Sequence, residues 1–266
     1  MLRKLFSAGE LALIRKDLTE IWNQKLVRSS LLVLPVLLSL GLPLLFLLLA
    51  VLLPPEELDA GAFETLLGPS LPDVEMRGQM YYVFTNLICP MLFAMIPLMS
   101  ATVSASCAFV GEKERGTMET LLLSPLSVRK LFQAKVAGCS LLSGLITLIS
   151  FVLFFIVTTV GDIVTGAPFF FSLNWFILVF LMSPALTVLG VVFMVMISGR
   201  SKTTMEAMQV SGYIVFPVVM LFVGQITGLF ILQWWMLLLV TALLAGVDVL
   251  LYNRGFSKFT AEKLLA

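Results

Sequence analysis

The sequence predicts an all-α membrane protein: six transmembrane helices, an amphipathic interfacial helix at the N-terminus, and a short helix in a cytoplasmic loop. Composition is the first reason. Of 266 residues, 59% are hydrophobic and 12% charged, with a mean hydropathy of +1.05, against roughly 25% charged in an ordinary soluble domain. The second reason is the spacing of apolar windows long enough to cross a bilayer. The third is the distribution of cations, which collects nearly all Lys and Arg on one side of those windows.

The spans fall at about Leu31 to Leu53, Tyr82 to Val110, Val136 to Val160, Trp175 to Ser198, Met208 to Leu229 and Trp234 to Leu251. Pro35, Pro43, Pro90, Pro97, Pro184 and Pro217 lie inside them and read as kinks, which membrane helices tolerate because neighbours satisfy the freed carbonyls. With both termini inside, 16 of the 17 Lys and Arg lie in cytoplasmic segments, as short translocation-resistant loops require. Only Arg77 is outside, in an acidic extracellular loop, residues 54–81, with Glu56, Glu57, Asp59, Glu64, Asp73 and Glu75. The expected location is the cell membrane, and the whole chain, 1–266, reads as one transmembrane domain.

Residues 1–30 show no short apolar core followed by a small-residue cleavage site, so no cleaved signal peptide is expected. Wound as a helix, this segment puts Leu11, Ile14, Leu18, Ile21, Trp22 and Leu26 on one face, with Lys16, Asp17, Glu20, Asn23 and Gln24 turned away. Such a helix lies along the inner membrane surface, with Lys25 and Arg28 anchoring its exit into the first span.

Between the second and third spans runs "GEKERGTMETLLLSPLS", the most polar stretch in the middle of the chain. Thr117 can cap a short helix with Glu119 in its first turn. Met118, Leu121 and Leu122 form an apolar stripe, Pro125 ends the helix, and Ser127 can cap the next one. Lipid anchoring accounts for Lys113 and Arg115 but not for Glu112, Glu114 and Glu119, which an anionic leaflet repels. A protein partner accounts for both signs of charge.

The stretch "GEKERGTMETLLLSPLSVRKLFQAK" resembles the signature cytoplasmic segment of ABC type-2 exporter permeases, through Glu114, Arg115, Gly116, Thr117, Glu119, Leu122, Leu123, Ser124 and Pro125. The amphipathic N-terminus and the corner "SGRSKTTMEAMQVSGYIVFPVV" are similar to the same family. The resemblance implies a permease subunit that pairs with a second permease copy or relative and sits on two ATP-binding subunits. It implies that 111–135 is the coupling segment, with Glu112 and the matched residues facing the ATPase. ATP and Mg would then be cofactors of the partner, not of this chain.

The chain's own chemistry agrees with that division. No G-x-x-x-x-G-K-[ST] phosphate loop occurs, and "SGRSKTT" lacks the glycine spacing. Histidine is absent, so histidine-dependent catalysis is excluded, and a net charge of +1 without a basic stripe argues against nucleic acid. Cys89, Cys107 and Cys139 sit in apolar runs and read as small core residues, with no metal-ligand spacing. Asp248 is the one acid within a span, read as an interfacial partner of Arg254. Neither catalytic nor metal-binding residues are expected.

Asn86, Gln225 and Thr227 are the candidate substrate path, being the main polar groups apart from scattered Ser and Thr. They suit an amphiphile better than a bare ion, which would lose its hydration without replacement ligands. The small residues Ser100, Ala101, Ser104, Ala105 and Ala108 fit equally well an internal helix contact or a dimer seam. The alternative to an ABC exporter is a non-ABC membrane transporter or a scaffold subunit of a membrane complex.

Overall fold

A computed structural model describes residues 8–52, 74–118, 123, 127–199, 201–227 and 233–258. Among them the regular structure is helical, without strands. Helix α1, Ala8–Asn23, precedes six apolar helices long enough to cross a membrane: α2 Lys25–Leu52, α3 Met76–Glu114, α4 Val128–Thr165, α5 Leu173–Ser198, α6 Thr204–Ile226 and α7 Trp234–Lys258.

The helices overrun the expected segment limits. Residues 76–81 of the acidic loop are already the first turns of α3, and Lys25–Ser30 belong to α2. At the polar corner, Gly111–Glu114 continue α3 and Val128–Lys135 begin α4. Apolar windows mark only the part of a helix that meets hydrocarbon, whereas the hydrogen-bond ladder runs on until a cap stops it. The middle of the acidic loop, 53–73, lies outside the described residues.

The prolines do more than kink. Three π-turns, Leu37–Gly41, Phe84–Ile88 and Leu178–Met182, each end two residues before a proline: Pro43, Pro90 and Pro184. A proline lacks the N–H for the preceding turn and its ring crowds the carbonyl four residues back. Widening that turn by one residue relieves the crowding while the helix continues. A fourth π-turn, Ser106–Val110, has no proline behind it and runs into Gly111.

Helices α3 and α5 are the buried centre, with α2, α4, α6 and α7 around them. Ser100, Ala101, Ser104, Ala105 and Ala108 are all buried inside this one chain, which assigns the small-residue stripe to internal packing. It meets Gly190 of α5, where an added Cβ would stand 3.0 Å from the Ala101 Cβ and 3.1 Å from the Leu98 carbonyl. Ser100 and Ser143 join α3 to α4 through their hydroxyls. Toward the end opposite α1, aromatic rings fill the centre: Trp175 lies 4.7 Å from Phe154 and 5.7 Å from Phe93, centroid to centroid. Asp162 closes that end by accepting the Phe170 N–H at 2.9 Å.

Gly190→Leu should therefore lower stability by about 1–3 kcal/mol through overpacking. Thermal unfolding in detergent checks this against Gly212→Ala, whose Cβ would meet nothing within 4 Å.

Candidate functional site

The polar corner is built by the ends of α1, α3, α4 and α6. Its root is Glu112, in the last turn of α3 and fully buried. The Lys16 Nζ of α1 donates to Glu112 at 2.8 Å, and the Lys135 Nζ of α4 stands 3.1 Å from the other carboxylate oxygen. Lys135 is itself 1% exposed. Its ammonium also donates to Asp17 at 3.3 Å and to the Ala108 carbonyl at 2.7 Å. Ala108 lies in the fourth π-turn, where the altered backbone pitch presents a carbonyl toward α4.

An outer pair joins the same helices, with Arg115 donating to Glu20 at 2.9 Å. Three cations thus meet three carboxylates. Oxygen atoms of Asp17, Glu20 and Glu112 lie within 4.8 Å of one another, a spacing that would suit a metal ion, but Lys16, Lys135 and Arg115 already supply the positive charge. Burial pushes the Asp17 carboxyl above the usual carboxylate range, the pull of Lys135 offsetting only part of it. For Lys16, burial works to lower the pKa, and the hydrogen bond and charge of Glu112, helped by Glu20 and Asp17, outweigh it and raise it.

The motif residues have local physical roles. Gly116 has φ +67°, the left-handed conformation, and its N–H bonds the Lys113 carbonyl while the Thr117 N–H reaches the Glu112 carbonyl at 3.0 Å. These are the two bonds of a Schellman motif, which ends α3 and favours glycine at this position. The Thr117 hydroxyl likewise points back to the Glu112 carbonyl, at 3.3 Å, where the sequence suggested a cap on the following helix.

Glu114 accepts from the Thr204 N–H at 2.9 Å and its hydroxyl at 2.6 Å. It thereby places a carboxylate at the positive end of α6. Thr203 and Glu206 complete that helix start: Thr203 accepts the Glu206 N–H, and Glu206 accepts the Lys202 N–H at 2.8 Å.

Several expectations change accordingly. Glu112 lies beneath the surface of this chain, where its charge serves α1 and α4. Asp17, expected to turn away from the apolar face, is buried with Leu13, Ile14 and Ile21. That face is covered by Leu131 and Ala134 of α4, while Trp22 and Leu26 stay exposed. Leu123 stands 86% exposed. Glu119, Leu121, Leu122, Ser124 and Pro125 lie outside the described residues, and with them the short helix expected there.

Lys135 and Asp17 were missed as site residues. A signal was present: Ile14, Asp17 and Ile21 share helical spacing, and Lys135 follows an apolar stretch on the same face as Leu131 and Cys139.

Among the candidate path residues, Asn86 sits in the second π-turn and donates to the Tyr82 carbonyl at 3.2 Å. Helix α6 packs against that turn. Gln225 is buried with its Oε1 unpartnered, whereas the Thr227 hydroxyl is spent on the Val223 carbonyl at 2.9 Å. Among the described residues no hydrogen bond joins the three. Asp248 is buried with Oδ1 unpartnered, and the side chain of its expected partner Arg254 lies outside the described residues.

Six apolar helices define a multi-pass membrane protein, with the ends of four helices joined at the polar corner. Residues 11–237 match the model of the ABC-2 family transporter proteins, and the chain belongs to that family. No curated protein and no solved structure matches it. Membership makes the chain the permease subunit of an ABC transporter, working with ABC ATPase subunits.

Replacing Lys135 by Met would leave Asp17 and Glu112 buried without their shared cation, a loss of about 3–5 kcal/mol. Unfolding in detergent should show it, with the exposed-face change Lys130→Met leaving stability unchanged.

Proposed function

We propose that this chain is the membrane half of an exporter that moves an amphiphilic substrate outward across the cell membrane. Two permease subunits, identical or related, would sit on two ATP-binding subunits that hold ATP and Mg, with both ends of this chain and the polar corner in the cytoplasm. The chain itself carries no ATPase chemistry in this reading.

The observation that carries the coupling role is the corner's construction. Glu112 ties α3 to α1 and α4, Glu114 ties it to α6, and Leu123, in the same loop, leaves 86% of its surface free. An exposed apolar side chain in the loop that follows an ion-paired helix end suits a groove on a protein partner. A push there, on nucleotide-driven closure, would move four helix ends together and bias an inward–outward equilibrium. For the cargo, the unpartnered Gln225 oxygen and half-buried Asn86 offer hydrogen bonds in an otherwise apolar path, which favours an amphiphile.

Two experiments test the reading. With the ATP-binding partner in proteoliposomes, amphiphiles rather than sodium should stimulate ATP hydrolysis. Leu123→Asp should abolish that stimulation, while Arg115→Glu should weaken it and the exchange Glu20→Arg/Arg115→Glu restore it. Full stimulation in Leu123→Asp, or a response to sodium alone with matching sodium flux, would refute the assignment. For orientation, single cysteines at Ala60 and Thr203 in a cysteine-free background should label with an impermeant maleimide in intact cells only at the former. Strong labelling at Thr203→Cys reverses the topology.

A further inference from the structure

Helices α4 and α5 enclose a lateral groove of about 360 Å³ lined by Ser140, Gly144 and Thr147 on one side and by Phe180, Ser183 and Thr187 on the other. Its volume falls in the roughly 300–1,000 Å³ range of small-molecule sites. Local chemistry opens it. Gly144 contributes no side chain, and a Cβ there would meet nothing within 4 Å. Opposite, the π-turn Leu178–Met182 and Pro184 interrupt the regular surface of α5.

Four hydroxyl-bearing residues line this groove, and three of the hydroxyls are already spent on their own helices. Thr147 donates to the Ser143 carbonyl at 2.9 Å, Ser183 to Leu178 at 3.0 Å and Thr187 to Ser183 at 2.9 Å. The Ser140 Oγ is buried and has no partner. In the hydrocarbon layer water does not fill such a vacancy, so a donor left unpaired there is costly. Pro184 adds the converse: it has no N–H for the preceding turn of α5, which leaves acceptor capacity there.

Depth says what fits. Thr147 lies near the midpoint of α4, and Ser140 is seven residues closer to the cation-rich end, about 10 Å along a helix. The hydrocarbon core is about 30 Å thick, so ester carbonyls of a leaflet stand roughly 15 Å from its centre. Ser140 therefore sits just inside the ester level of the leaflet on the cation-rich side, with the apolar wall of Leu148 and Phe180 running from it toward the centre.

We infer that this groove is a lipid site: it seats one acyl chain of a diacyl phospholipid from that leaflet, whose ester carbonyl accepts the Ser140 hydroxyl while the chain lies over Gly144 against Phe180. The site is separate from the Asn86–Gln225 path and does not depend on what the transporter carries.

The test uses the full chain in phosphatidylcholine vesicles doped with phosphatidylcholine bearing a photoreactive diazirine acyl chain, with cross-links mapped by peptide mass spectrometry. Cross-links should concentrate in 140–148 and 179–188 above the exposed α7 positions Leu239, Leu243 and Leu250. Gly144→Trp should remove the groove cross-links and leave those on α7. Ser140→Ala, a change too small to endanger folding, should cut groove labelling roughly five-fold, as loss of one hydrogen bond does. Even labelling of groove and α7 faces, or groove labelling indifferent to both variants, would overturn the inference. So would efficient disulfide dimerisation of Gly144→Cys, which would place a second copy in the groove.

Discussion

The buried ammonium of Lys135 is the constraint on which the polar corner depends. A lysine with 1% of its surface exposed must spend all three donors inside the protein, because an unpaired charge there is prohibitively costly. Its partners come from two other helices: Asp17 of α1, and, on α3, Glu112 and the Ala108 carbonyl in the π-turn just above. None can move away without stranding the others. Such networks often add little net stability compared with apolar packing, but losing one member is severe. The product is therefore fixed geometry more than extra stability.

That fixed geometry explains two features with no obvious packing purpose. Without the π-turn at Ser106–Val110, every residue below it would be rotated by about one helical position, roughly 100°, and Glu112 would not face both lysines. This turn has no proline behind it, unlike the other three, so the ion network is the feature that accounts for its position. Gly116 then stops α3 two residues beyond Glu114, near enough for that carboxylate to reach the first N–H of α6 at 2.9 Å.

The six spans were legible because hydropathy reads the bilayer directly, and their number needed no tertiary knowledge. The helix ends were less so: α3 begins at Met76 and α4 at Val128, since caps and charged turns extend helices beyond the hydrocarbon layer. The corner was legible as a motif but not as a mechanism. Glu112, Glu114 and Arg115 look alike in sequence, three ionic residues on one turn, yet one is fully buried, one caps a distant helix and one pairs with Glu20. Deciding among such fates requires knowing which residues lie opposite, here Lys135 and Thr204, and neither is near in sequence. The small residues from Ser100 to Ala108 posed the same problem. Spacing said that something packs closely there, and only Gly190 said what.

The division of the corner into buried and exposed parts bears on how it can transmit force. Exposed ion pairs such as Arg115–Glu20 contribute at most about 1 kcal/mol and re-form readily, so by themselves they would slip under load. The buried pairs behind them do not slip, because each separated state leaves a charge without water or partner. A displacement applied at the Schellman turn of Gly116 would pass to Glu112 and Glu114 and be shared at once by α1, α4 and α6. Helix α6 receives it at its N-terminus, 21 residues from Gln225, so a tilt of this otherwise peripheral helix would be largest toward that residue. A rigid root with a lightly packed lever is the arrangement in which a small movement at one membrane face becomes a larger one near the other.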